Sequence, residues 1–218
     1  MLSWDHIDWW SALYTIIIGI LIIVIYVLTV VILSRSELLP LSKKDPETLL
    51  PGTILSVRYN TSLRANIIQI FTGSGWSHIA LVIKHENKNY VAESAFYSEK
   101  CRGTVITPIE KWIKYNSSRP IAFREPLESN DKILPLLRNS YRSDINLNIL
   151  TWWKSMISLP YKDNRNLSSY YCSEFVATLL QETGVLEKSK HAKSYKPYEL
   201  IVGKMPFYRE PKCLEKIE

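Results

Sequence analysis

One stretch of the chain shows no polar alternation at all. Residues 12–33 read ALYTIIIGILIIVIYVLTVVIL, 22 positions without a charge. At about 1.5 Å per residue a helix of that length spans roughly 30 Å, the thickness of a bilayer's hydrocarbon core. The pattern predicts one N-terminal transmembrane helix. A cleaved signal peptide fits less well, because the run is too long, no Lys or Arg precedes it and no small-x-small cleavage site follows. Asp5, His6 and Asp8 stand before the run; Arg35, Lys43 and Lys44 stand after it. The positive-inside bias therefore places the C-terminal part in the cytoplasm and the short N-terminus outside, with Trp9 and Trp10 as aromatic anchors at the opposite interface.

The rest of the chain alternates in shorter periods. Residues 1–11 are a short tail, and 34–50 (SRSELLPLSKKDPETLL), interrupted by Pro40 and Pro46, read as a tether. Pro51-Gly52 introduces a short strand at 53–57, and 61–71 carry Leu63, Ile67, Ile68 and Phe71 at helical spacing. Two β-rich runs, 78–84 and 90–95, flank His-Glu-Asn-Lys-Asn, a hairpin signal. With a loop at 85–88, Lys84 pairs with Asn89 and Ala80 with Glu93, so His78, Ala80 and Glu93 share one face. Glu93 is then a diagonal neighbour of His78; an odd loop length would send it to the other face. Beyond lie a short helix at 107–113, a strand at 120–124, helices at 131–141 and 146–157, and a last strong helix at 172–182 with Gly184 past its end. These elements make a globular domain over 51–210, followed by a tail at 211–218.

Composition narrows the function. The 218 residues carry a formal charge of +6, yet no dense Lys/Arg block with interleaved aromatics, which argues against nucleic acid as the partner. Three cysteines at unrelated spacings and four scattered histidines form neither a disulfide framework nor a metal-ligand pattern. Reduced thiols fit a cytosol-facing domain that needs no metal and no cofactor.

The chemistry-bearing residue is Cys172, in Tyr-Tyr-Cys-Ser-Glu-Phe at the first turn of the 172–182 helix. The positive end of a helix dipole eases loss of the thiol proton. A thiolate nucleophile needs a base and a group that holds the base in its useful tautomer. His78 and Glu93 supply those types, and a carboxylate inside an apolar strand calls for a partner. Taken singly, Cys172 also reads as a small core side chain and His78 as a structural one. Among the competitors, His85 falls in the loop and His191 in a Lys/Ser-rich segment. Cys101 lacks a helix start, and Cys213 is close to the C-terminus. Glu174 reads as a first-turn charge pointing away from the thiol. No Gly-x-Ser-x-Gly elbow offers a serine alternative.

The ordered set Pro51-Gly52, Ser77-His78-Ile-Ala-Leu-Val-Ile, Glu93, Thr107-Pro108, Leu159-Pro160-Tyr161 and Tyr171-Cys172-Ser-Glu-Phe resembles the permuted branch of the NlpC/P60 papain-like superfamily. It is most similar to the YiiX-like group, which has bacterial and large-DNA-virus members. The resemblance covers roughly residues 51–202. It implies an α+β, circularly permuted papain-like domain, with helices packed on an antiparallel sheet. It also implies Cys172 as nucleophile, His78 as base, Glu93 as the residue orienting His78, and Tyr171 as an aromatic lining the site. Thr53 and Ser158 depart from the acidic residue and the glycine that the family often has there.

The expectation is a membrane-anchored cysteine hydrolase or acyltransferase that acts on an amide or ester, lipid or peptide, near the bilayer. The rival is a catalytically silent membrane or virion-envelope scaffold that keeps the fold. A lipid- or nucleic-acid-binding module is a third reading, marked by strong salt dependence. The family's distribution and the Asn/Lys/Ile/Tyr-rich composition suggest a viral source.

Overall fold

A computed structural model of the chain describes residues 9–35, 39–58, 69, 74–98, 101–140 and 172–215. The expected helices at 61–71 and 146–157, the Leu159-Pro160-Tyr161 turn and Tyr171 lie outside them. Helix α1 spans Trp9–Arg35. Its segment Trp9–Leu28 is long and apolar enough to cross a membrane, and none of it is buried against the rest of the chain.

Seven strands form one sheet among the described residues: β1 (Leu41–Ser42), β2 (Ile54–Val57), β3 (His78–His85), β4 (Lys88–Ser98), β5 (Cys101–Pro108), β6 (Ile121–Arg124) and β7 (Lys212–Leu214). Their order is β1-β7-β6-β2-β3-β4-β5. All neighbours are antiparallel except β1 and β7. Helices α2 (Ile109–Asn116), α3 (Ile133–Ser140), α4 (Cys172–Glu182) and α5 (Pro197–Ile201) complete the layers.

The sheet is covered on both sides, which is why β2 and β3 read as continuous apolar runs rather than strict alternations. On one side Ile54, Ile79, Leu81, Ile83 and Ala92 pack with Ile133, Phe175, Val176, Leu179, Leu180 and Leu200. On the other, Leu55, Val57, Ala80, Val82 and Val91 pack with Leu49, Ile109 and Trp112. Helix α4 ends in a Schellman closure: Gly184 N–H donates to Gln181 O at 3.1 Å and Val185 N–H to Leu180 O at 2.8 Å, with Gly184 at φ +79°. Gly52, at φ +89°, has no room for a side chain, since a Cβ would stand 2.8 Å from Asn130 Cβ. Its carbonyl accepts from the Tyr208 hydroxyl at 2.9 Å.

Three strands were not apparent in the sequence pattern. β5 follows β4 almost directly, and Cys101 lies on it. β1 and β7 come from the segments expected as tether and C-terminal tail; Leu41 pairs with Cys213 and Ser42 with Leu214. The tether's second half is fastened to the domain by specific contacts. Lys44 Nζ meets both Glu125 carboxylate oxygens at 2.7 Å, and Leu49 is buried. The Asn89 amide donates to the carbonyls of Pro46, Glu47 and Leu49 at 3.2, 3.0 and 2.8 Å. Strands of two or three residues carry too little periodicity to be read in isolation.

Candidate active site

The β3–β4 hairpin sets the first two residues. Its turn is Glu86-Asn87, at φ +49° and +60°, the two positive values that a tight two-residue hairpin turn requires. Lys84 pairs with Asn89 and Leu81 with Ala92, the register that an even-length loop predicts. His85 and Lys88, expected in the loop, pair as the last rung. Glu93 therefore falls on the His78 face. Its carboxylate is fully buried, and Oε2 lies 2.6 Å from His78 Nε2. A buried carboxylate without a partner would cost several kcal/mol, on the order of 3 or more; the imidazole is its partner.

The third residue arrives from the helical layer. α4 packs against β3, and Cys172, its first residue, lies partly buried beside that core. The thiol hydrogen-bonds the His78 side chain. Because Nε2 is engaged by Glu93, Nδ1 is the ring nitrogen left for sulfur. The backbone amides of Ile79 and Ser173 also point at Sγ. The structure thus brings Cys172, His78 and Glu93 together at the start of β3.

The electrostatics of the pair follow from opposing influences. Burial is the largest influence on each group and disfavours each charge, yet it is outweighed. For His78, the hydrogen bonds and charges of Cys172 and Glu93 raise the imidazole well above its ordinary 6.5. For Cys172, burial pushes the thiol up, while His78 and the Ile79 and Ser173 amides bring it below its ordinary 9.0. Both shifts favour the thiolate–imidazolium form of the pair over the neutral one.

The other candidates separate from this site. His85 stays partly exposed beside Glu86 at 3.6 Å, and His191 caps the short turn Ala192–Ser194 through Nδ1. Burial raises the Cys213 thiol, against the Arg58 charge. Glu174 differs from expectation: it is buried, with Lys193 Nζ at 3.7 Å. The helix pattern missed this because α4 is covered nearly all round, by the sheet, α5 and the Ala192–Ser194 turn. The Ile79 and Ser173 amides were also missed, since no side-chain pattern marks a backbone donor. Arg58, stacked 4.9 Å from the Trp76 ring centroid, braces the strand end next to His78. Among the described residues no group of three or more His, Cys, Asp or Glu is placed to hold a metal.

A thiol at a helix start meeting an imidazole at a strand start is the arrangement of papain-like cysteine hydrolases, with the histidine here preceding the cysteine. The family model for the permuted papain-like amidases, YaeF/YiiX, C92, matches residues 48–200, and the chain belongs to that family. Among solved structures, the chain is similar to the crystal structure of metalloprotein yiiX from Escherichia coli O157:H7, at 19% identity and a TM-score of 0.42, over 75% of this chain and 88% of that one. No curated protein matches. No comparison supports the viral source suggested by the family's distribution and the composition.

Proposed function

We propose that this chain is a membrane-anchored cysteine hydrolase or acyltransferase acting on an amide- or ester-linked acyl group through Cys172, His78 and Glu93. The family supplies the general activity, a cysteine-type amidase. The observation that carries the residue roles is the shared imidazole: His78 Nε2 meets Glu93 at 2.6 Å and the same side chain hydrogen-bonds Cys172. In this reading the Cys172 thiolate attacks the carbonyl carbon and forms a tetrahedral oxyanion, with the Cys172 backbone N–H as its first donor. The C–N or C–O bond breaks, and the leaving group takes the imidazolium proton of His78. Water or an acceptor hydroxyl or amine then attacks the thioester and gives its proton to His78, which restores the thiol pair. Glu93 keeps Nε2–H donated to itself and Nδ1 toward sulfur. Tyr171 is proposed as a side chain lining the acyl pocket.

The apolar helix α1, with none of Trp9–Leu28 buried, supports anchoring through 12–33, and the flanking charges favour the N-terminus outside and the domain over 51–210 cytoplasmic. Substrates near that face of the bilayer, lipid or peptide, fit the tether. The test is acyl trapping on the full chain in nanodiscs, with activated acyl esters and peptide amides as probes. Mass spectrometry is expected to find a hydroxylamine-labile acyl group on Cys172, absent in Cys172→Ala and in His78→Ala. Equal acylation of Cys101, Cys172 and Cys213, or none on Cys172, would favour the silent scaffold.

A further inference from the structure

α1 ends at Arg35 and β1 begins at Leu41, so the five residues 36–40 allow a reach of roughly 20 Å at most. With α1 in a bilayer, the β1 edge of the sheet stays within roughly 20 Å of the end of α1. β1 runs parallel to β7, and the Cys213 amide donates to the Pro40 carbonyl at 2.8 Å. The chain arriving from the anchor therefore enters the sheet from the same end as residues 204–211.

That end exposes apolar side chains among charges of both signs, with two cations beside the exposed aromatic. Leu127 N–H donates to Phe207 O at 2.9 Å, and the adjoining Pro126 bridges Tyr208, so Leu127 and Phe207 neighbour each other on one ribbon. Both are more than half exposed, at 53% and 57%, and Leu41 on β1 is 68% exposed. The exposed Lys204 and Arg209 flank Phe207 in the sequence Lys-Met-Pro-Phe-Tyr-Arg, and Lys43 follows Leu41. Glu128 and Glu210 are exposed acids on the same ribbon. A large aromatic between cations is suited to a headgroup layer, where the ring enters the acyl boundary and the cations pair with anionic lipid.

We propose that this end of the β1–β7 edge docks on an anionic bilayer, with Phe207 and Leu127 inserted and Lys204 and Arg209 at the phosphates. The proposal rests on the membrane-anchor reading. It also sets the orientation of the active site. His78 pairs with Val57, and Val57 with Ile121; Pro126 lies five residues further along, roughly 17 Å away at strand spacing. The thiol end of the sheet is thus the one opposite the docked end.

The experiment uses the full chain, with Cys101→Ser, Cys172→Ala and Cys213→Ser, reconstituted in phosphatidylcholine–phosphatidylserine vesicles. A fluorophore is attached at Leu127→Cys, Phe207→Cys or, as control at the thiol end, Ser118→Cys. Spin-labelled lipid is expected to quench the first two and spare the third. Adding Lys204→Glu and Arg209→Glu should reduce quenching at position 127 several-fold. If all three labels stay bright while the chain resists alkaline washing, the docking surface is overturned and the anchor stands. If alkali strips the chain from the vesicles, the anchor fails and the docking surface with it.

Discussion

At the scale of single residues, the site turns on where one proton sits. His78 holds its proton above the ordinary imidazole range, and Cys172 loses its own below the ordinary thiol range. Activity should therefore rise on the acid side as Cys172 ionises and fall on the alkaline side as His78 loses its proton. This gives a bell whose limbs belong to the coupled pair. A pH–rate profile measures both limbs, and His78→Ala should abolish the bell. Glu93→Gln keeps the shape of the buried group but removes its charge, so kcat should drop about 10²- to 10⁴-fold and the alkaline limb should move to lower pH. An unchanged limb in Glu93→Gln would show that Glu93 only fills space. The sequence made these three side chains legible because each is of an unusual type for its place: a carboxylate in an apolar strand, a histidine at a strand start, a cysteine at a helix start. It left Glu174 misread, because burial of a first-turn carboxylate depends on what packs over the helix.

At the scale of elements, α4 and the hairpin carry the geometry. The boundaries of α4, Cys172–Glu182, follow those read from its apolar spacing and from Gly184. Leu180 is fully buried, so Leu180→Ala should cost about 2–5 kcal/mol by denaturant unfolding. Gly184→Ala should cost about 1–2 kcal/mol, all of it backbone strain, since nothing lies within 4 Å of the added Cβ. A neutral Gly184→Ala would contradict the Schellman closure. The hairpin register was legible because parity alone decides which face Glu93 occupies. β1 and β7 were not, since two- and three-residue segments that pair across the chain carry no readable period; β5, directly after β4, was passed over, and its last residues Thr107-Pro108 were assigned to the helix that begins at Ile109.

At the scale of the whole molecule, the fold places an apolar helix at one end of the chain and a thiol site on a sheet covered on both faces. The papain-like class was legible from the order of its motifs, and the family match over residues 48–200 bears it out. The boundary between tether and domain was blurred, because Lys44, Leu49 and Asn89 bind residues 44–49 to the sheet through contacts that no local pattern announces. If α1 anchors the chain as proposed, alkaline carbonate should leave the full chain in the membrane pellet. Protease added from the cytoplasmic side should then remove the domain; protection there would reverse the orientation.

The most direct test of the central claim is the pH dependence of Cys172 alkylation in the folded full-length chain, with Cys101 and Cys213 as internal references. Cys172 is expected to react at a pH below the ordinary thiol value of 9.0 and Cys213 to lag above it, and His78→Ala is expected to remove the advantage. A Cys172 that titrates like Cys213, or that is indifferent to His78, would contradict the thiolate–imidazolium pair and the enzyme built on it.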